Sequence, residues 1–337
     1  MDIREKLGTC QTTQLPQDVG PTDVTPSWLG RVGVGTAIGH HGELLQGVFH
    51  DKSGKPRRGL VTMPVVDLKS AAIFRGKAGP GPVRITVQPE SKDKARRAAE
   101  LAVAYCAQRS GSPVVHGHLV NHTAAMSGLG MGASTSDVVA SIRAVADWYR
   151  LSLQPAEIAR LSVLAERASD SIMIEDRVVL FAQREGVVLE EFTAPLPPMI
   201  VVGCVAGPDL SVDTLSLQPA EYDPDELIRL QVMLSTLRRG IATGDVTLIG
   251  AVATASAQLN QRFLPKPELE TLIAIGAANA AAGVQVAHSG SVAGLIFDPV
   301  RTSVSDDVER CIRAMRYAGI THTEVFCSQP VKTGGRG

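Results

Sequence analysis

The chain has 337 residues, a formal net charge of −1, 44% apolar residues and 4% aromatic residues. At roughly 150 residues per domain that length suggests two domains, and the apolar content excludes wholesale disorder. The balanced charge argues against a protein that wraps nucleic acid, which needs a basic excess to displace counterions. With 7 Phe, 4 Tyr and 2 Trp, alanine and valine must fill much of the core, and stacking platforms for single-stranded nucleic acid are scarce.

Residues 1–28 are polar and aperiodic. They hold no apolar stretch of the kind a signal peptide needs and are expected to form a disordered arm. No apolar run approaches the about 18 residues of a membrane span. The five cysteines (Cys10, Cys106, Cys204, Cys311, Cys327) are scattered without a C-x-x-C pair, which reads as reduced thiols in a cytoplasmic protein.

In chain order, Arg31–Val34 is β-compatible. The segment "GHHGELLQG" at 39–47 reads as a glycine-rich loop carrying one acid, Glu43, and one amide, Gln46. Residues 59–74 are strand-like, with Pro64 suggesting an edge or a break. "VRITVQP" at 83–89 alternates cleanly as a strand. Ala95, Ala98, Ala99, Ala102 and Cys106 recur at helical spacing over 92–109. The strand at 113–122 puts His116, His118 and His122 on one face. No cysteine or carboxylate completes a zinc set nearby, so this reads as a half-exposed strand face.

The most informative stretch is "SGLGMGASTSDVVASIRAV" at 127–145. Gly128, Gly130 and Gly132 let backbone approach a ligand closely, and the following helix offers unpaired N–H groups. Ser134, Thr135 and Ser136 sit in its first turn with Asp137, and together these make a phosphate cradle, with hydroxyls for an oxyanion or Mg²⁺. It is neither a Walker A loop, lacking the lysine, nor a dinucleotide fingerprint. A plain connector with a Ser/Thr helix cap is the competing reading.

A helix from Pro155 to about Ala168 precedes "ERASDSI". Phosphorylating an alcohol often needs a carboxylate to take the hydroxyl proton. Asp170 is the candidate base, against the alternative of a turn-forming Asp at a helix end. Glu166, four residues earlier, is either a Mg²⁺ ligand or a solvated surface acid. His40 and His41 are adjacent, so on extended chain they point apart and make a poor metal pair.

A hairpin is expected at 177–192, and "APLPPM" at 194–199 is the best domain punctuation. It separates a first domain at 29–193 from a second at 199–330. The second reads as β-α-α-β-β-α-β, an α+β sandwich with helices on one face. Asp213 and Thr214 follow its first strand. His288, Ser289, Gly290 and Ser291 form a Gly/Ser turn between two later strands.

Three glycine-rich segments near 40, 130 and 290, the middle one opening a helix, resemble the motifs of the GHMP kinases. The family's middle motif is P-x-x-x-G-L-G-S-S-A. Here both glycines and the second serine are present, while the proline and first serine are absent. Within the family the resemblance points to the L-threonine kinases of cobalamin side-chain synthesis. It rests on Gly42-Glu43-Leu44-Leu45-Gln46-Gly47, on Gly130 to Asp137 and on His288-Ser289-Gly290-Ser291. The Pro and Cys usual before the first of these are replaced by Ile38 and His41.

The resemblance implies a two-domain α+β GHMP kinase fold. Its N-terminal domain would be ribosomal protein S5 domain 2-like and its C-terminal domain a ferredoxin-like α/β sandwich. It implies ATP on Gly128–Thr135, with Ser134 and Glu166 on Mg²⁺ and Asp170 catalytic. Glu43, Gln46, Gly47, Asp213, Thr214 and residues 288–291 would close over a small hydroxy amino acid between the domains. L-threonine is the first expectation. L-serine, homoserine, a natural-product alcohol or a silent ligand sensor on the same fold are the alternatives. Neither nucleic acid nor membrane is an expected partner, and a homodimer is allowed.

Overall fold

The computed structural model describes residues 31–79, 81–123, 133–206, 221–287 and 292–329. The arm at 1–28, the loop glycines Gly128, Gly130 and Gly132 with Met131, the pair Asp213 and Thr214, and the turn at 288–291 lie outside the described residues.

Two long antiparallel strands, β1 (Val32–His50) and β2 (Pro56–Ala78), form the spine. The first half of β1 alternates in exposure, with Val32, Val34 and Thr36 out and Gly33, Gly35 and Ala37 in. Two of the inward positions are glycines because helix α2 (Ala133–Trp148) lies directly on them. A Cβ at Gly35 would sit 2.2 Å from the Ala140 carbonyl oxygen. Gly35→Ala must push α2 away and is expected to cost about 1–3 kcal/mol. A midpoint drop in urea unfolding checks this, and an unchanged midpoint would show that α2 is not seated on β1.

The second half of β1 corrects the sequence reading. Residues 39–47 are not a loop; they continue the strand and are buried from Gly39 to Leu45. The register with β2 shifts at Ile38/Gly39, between His40 and Glu43, and between Glu43 and Leu45, and Gly42 takes φ +69°. Bulges of this kind re-aim side chains while the strand continues. Pro64 also departs from expectation: β2 runs unbroken through it, opposite His40.

Strands β3 (Ile85–Gln88) and β4 (Val115–Thr123) extend the sheet beyond β2, and the hairpin β5 (Val179–Ala182)–β6 (Val187–Glu191) joins β2 at Gly59 and Leu60. Helices α1 (Asp93–Ser110), α2 and α3 (Pro155–Glu166) pack one core with this part of the sheet. Ala95, Ala98, Ala99 and Ala102 of α1 are fully or nearly buried there, as the alanine spacing indicates.

The second half contains β7 (Ile200–Val205), α4 (Pro224–Thr243), α5 (Val246–Asn260), α6 (Leu269–Ala278), β8 (Gly283–Val286), β9 (Val292–Phe297), α7 (Val304–Tyr317) and β10 (Thr323–Cys327). Its strands lie in the order β10-β7-β9-β8, all antiparallel. In chain sequence that is fourth, first, third, second, the ferredoxin-like arrangement. Its helices are not confined to one face. Val201, Ile296 and Phe326 pack with α4 and α5, whereas Val202, Leu295 and Val325 pack with α6 and α7. Near-continuous apolar strands are the mark of a sheet covered on both sides.

β8 meets β1 at Val286 and Glu43, completing a ten-stranded sheet. Among the described residues no helix is long and apolar enough to cross a membrane. Cys106, Cys204 and Cys311 are buried free thiols. Cys327 is disulfide-bonded, which corrects the reading of five reduced cysteines.

Candidate active site

The first turn of α2 is fixed from below. Asp137, 2% exposed, accepts hydrogen bonds from Ser70 Oγ and Thr123 Oγ1, both at 2.7 Å, and from Lys92 Nζ at 2.5 Å. Asn121 Nδ2 donates to Ser141 Oγ at 3.0 Å one turn on. A buried carboxylate is tolerated only when paired and hydrogen-bonded in this way. The turn that carries Ser134 and Thr135 is therefore held rigidly.

Helix α3 ends at Glu166 because Arg167 takes the left-handed conformation, φ +66°. The chain reverses, and the Ser169 N–H bonds to the Gln183 carbonyl at 2.9 Å. This brings Glu166 and Asp170 to the same end of α2. Ser134 Oγ donates to Glu166 Oε2 at 3.3 Å, and Thr135 Oγ1 donates to Asp170 Oδ2 at 3.2 Å. Both acids are buried. Burial, then the nearby Asp170 charge, pushes the Glu166 carboxyl up to about 7.

His40 is the residue that sequence reasoning missed. Its Nε2 lies 2.9 Å from Asp170 Oδ2, with both side chains buried. Glu43 joins them: one ligand atom each from His40, Glu43 and Asp170 lie within 4.8 Å of one another. The pointing-apart of the two histidines holds. His41 goes to the opposite side, where its Nδ1 meets Gln285 Nε2 and its ring tilts over Phe326 at 5.3 Å. Burial, the largest effect, pushes the His41 imidazole down to about 4, so it is neutral at ordinary pH.

The structure thus brings Glu43, Ser134, Thr135, Glu166 and Asp170 to one region. The backbone of Gln46 and the Gly47 position meet helices of the second half. The Gln46 N–H donates to Ser256 Oγ at 3.0 Å, and its carbonyl accepts from Asn260 Nδ2 at 3.2 Å, both from α5. Gly47 lies beneath Leu230 of α4. Ala133 is the first residue of α2.

Glu166 Oε1 is buried with no hydrogen-bond partner among the described residues. An orphaned carboxylate oxygen beside a serine hydroxyl is a hard-oxygen donor set that fits Mg²⁺. The His40, Glu43 and Asp170 group fits less well, because it offers an imidazole nitrogen already committed to Asp170.

A family model, the GHMP kinases N terminal domain, matches residues 94–174. That match spans α1 from its second residue, the glycine-rich segment, α2, α3 and Asp170. Residues 94–174 are thus similar to the N-terminal domain of the GHMP kinases. Two L-threonine kinases are similar to this chain. The Citrobacter freundii enzyme is 28% identical over 187 residues, covering 52% of this chain and 60% of that protein. The Salmonella typhimurium enzyme is 27% identical over 180 residues, covering 52% and 58%. The matched region thus spans about three fifths of these relatives' length. The fold matches the crystal structure of a homoserine kinase from Cytophaga hutchinsonii with a TM-score of 0.66 at 12% identity, covering 91% of this chain and 98% of that one.

Proposed function

We propose that this protein is an ATP- and Mg²⁺-dependent kinase acting on the side-chain hydroxyl of a small amino acid, L-threonine giving O-phospho-L-threonine. The observation that carries it is Asp170, buried and held between Thr135 and His40 at the foot of the helix that follows the glycine loop. In this reading the substrate oxygen attacks the γ-phosphorus as the bond to the β,γ-bridging oxygen breaks. The hydroxyl proton passes to Asp170. The protein's main task is positioning and charge neutralisation. Ser134 and Glu166 would hold Mg²⁺, which neutralises phosphate charge when bound. Similarity to L-threonine kinases supports threonine as the first substrate to test.

The test is ADP formation with ATP, Mg²⁺ and a panel of L-threonine, L-serine and L-homoserine. Turnover with threonine supports the reading. Turnover only with another alcohol moves the substrate and keeps the chemistry. Nucleotide binding with no turnover on any alcohol leaves the silent sensor.

His40 gives a separate prediction. His40→Gln keeps a donor toward Asp170, whereas His40→Leu leaves a buried carboxylate short of one. The Leu variant is expected to lose about tenfold more kcat than the Gln variant. Equal losses would show that the hydrogen bond does not orient the base.

A further inference from the structure

His41 is fully buried, yet the chemistry above does not use it. It stands where β1 is least determined by its main partner. The β1–β2 register breaks three times between Ile38 and Leu45, and His41 and Gly42 have no partner residue on β2. Pairing with β8 is a single residue pair, Glu43 with Val286. Ladder pairing therefore fixes little of the stretch that carries His40 and Glu43.

The His41 ring supplies what the ladder lacks, because it is seated in a notch of the second half's sheet. The floor is Gly203 of β7 and Gly294 of β9, which are paired directly opposite each other. A Cβ at Gly203 would collide with His41 Nε2, and one at Gly294 would lie 3.0 Å from His41 Cε1. The Phe326 ring of β10 flanks it, 5.3 Å away between centroids. Gln285 of β8, itself fully buried and paired with Gly294, brings its Nε2 to His41 Nδ1. An amide nitrogen only donates, so Nδ1 accepts and the neutral ring carries its proton on Nε2. One side chain thus meets all four strands of the second half.

Adjacent residues on an extended chain point to opposite faces. His41 goes into the notch, and His40 goes to Asp170, with Nε2 2.9 Å from Oδ2. A displacement of one histidine passes to the other through a single peptide unit. An offset of about 1 Å at a reacting group can cost about 10²-fold in rate. We infer that His41 is a positioning residue, which registers β1 against the second half and so sets the contact between His40 and Asp170. This rests on the kinase reading above, in which Asp170 takes the hydroxyl proton.

The experiment is a double-mutant cycle on kcat between positions 41 and 40, with ATP, Mg²⁺ and the preferred hydroxy amino acid. His41→Leu fills the notch without accepting from Gln285, and is expected to lower kcat about tenfold with KM for ATP within about twofold. His41→Gln keeps an acceptor for Gln285 and is expected to retain most of kcat. In a His40→Leu background, His41→Leu is expected to cost less than about twofold more. Gln285→Leu acts from the other side of the notch, leaves β1 unaltered and is expected to show the same dependence on His40.

Unchanged kcat in His41→Leu overturns the inference. So does a tenfold loss that is the same in both backgrounds, which leaves His41 as a packing residue only. Wild type that phosphorylates no hydroxy amino acid overturns the kinase reading instead, an outcome told apart because it needs no variant.

Discussion

Asp170→Asn is expected to lower kcat on the preferred hydroxy amino acid by about 10²- to 10⁴-fold, with KM for ATP within about threefold of wild type. The substitution is nearly isosteric. An amide oxygen can still accept from Thr135 Oγ1, now at 3.2 Å from Asp170 Oδ2, and from the His40 ring. What it cannot do is take the substrate's proton. The loss should therefore appear in kcat and persist at saturating substrate, as expected for an interaction realised only in the transition state. Unchanged kcat in a folded variant would remove Asp170 as the base, and catalysis would rest on positioning and phosphate neutralisation alone.

Glu166→Gln is expected to move two properties in opposite directions. Activity should fall by tens- to thousands-fold, with a higher Mg²⁺ requirement, because the buried carboxylate beside Ser134 loses its charge. Stability of the metal-free protein should rise at alkaline pH. The sign follows from linkage. The Glu166 carboxyl is raised from 4.5 to about 7, so its favourable contribution is complete below its unfolded value and is lost as pH rises through about 7. At pH 8 the native protein carries a buried charge that the variant lacks, a difference of up to about 3 kcal/mol. At pH 4 the two proteins should melt together. A solvated surface acid would change neither property. Thermal melting at the two pH values, with EDTA and with Mg²⁺, decides between them.

The sequence revealed the helices and the glycine-loop-to-helix junction because both are local. The alanine spacing of α1 maps directly onto buried positions. Glu43 and Asp170 were recognisable as chemistry, but their meeting was not, since residues 127 positions apart are joined only by the sheet. The glycines and polar residues of 39–47 look like a loop. They form a strand because bulges relieve its register and because neighbours need the space, with Gln285 against Gly42 and Leu230 against Gly47.

His40 was hidden for the same reason. Adjacent histidines on a strand were read as pointing apart, which is right, but nothing local says that one of them reaches Asp170. Glu166 and Asp170 have the spacing of a solvated helix face. The helix stops between them at Arg167, so both turn inward toward α2. The helices on both faces of β7 and β9 were foreshadowed by the unbroken apolar runs of those strands, which an alternating one-sided sheet would not show.

The most direct measurement is identification of the product. Wild-type protein incubated with ATP, Mg²⁺ and L-threonine, followed by mass spectrometry and ADP quantitation, is expected to yield one O-phospho-L-threonine per ADP. The yield should fall to near background with Asp170→Asn. Nucleotide binding without phosphorylation of threonine, serine or homoserine would contradict the proposal that this site is an amino-acid kinase.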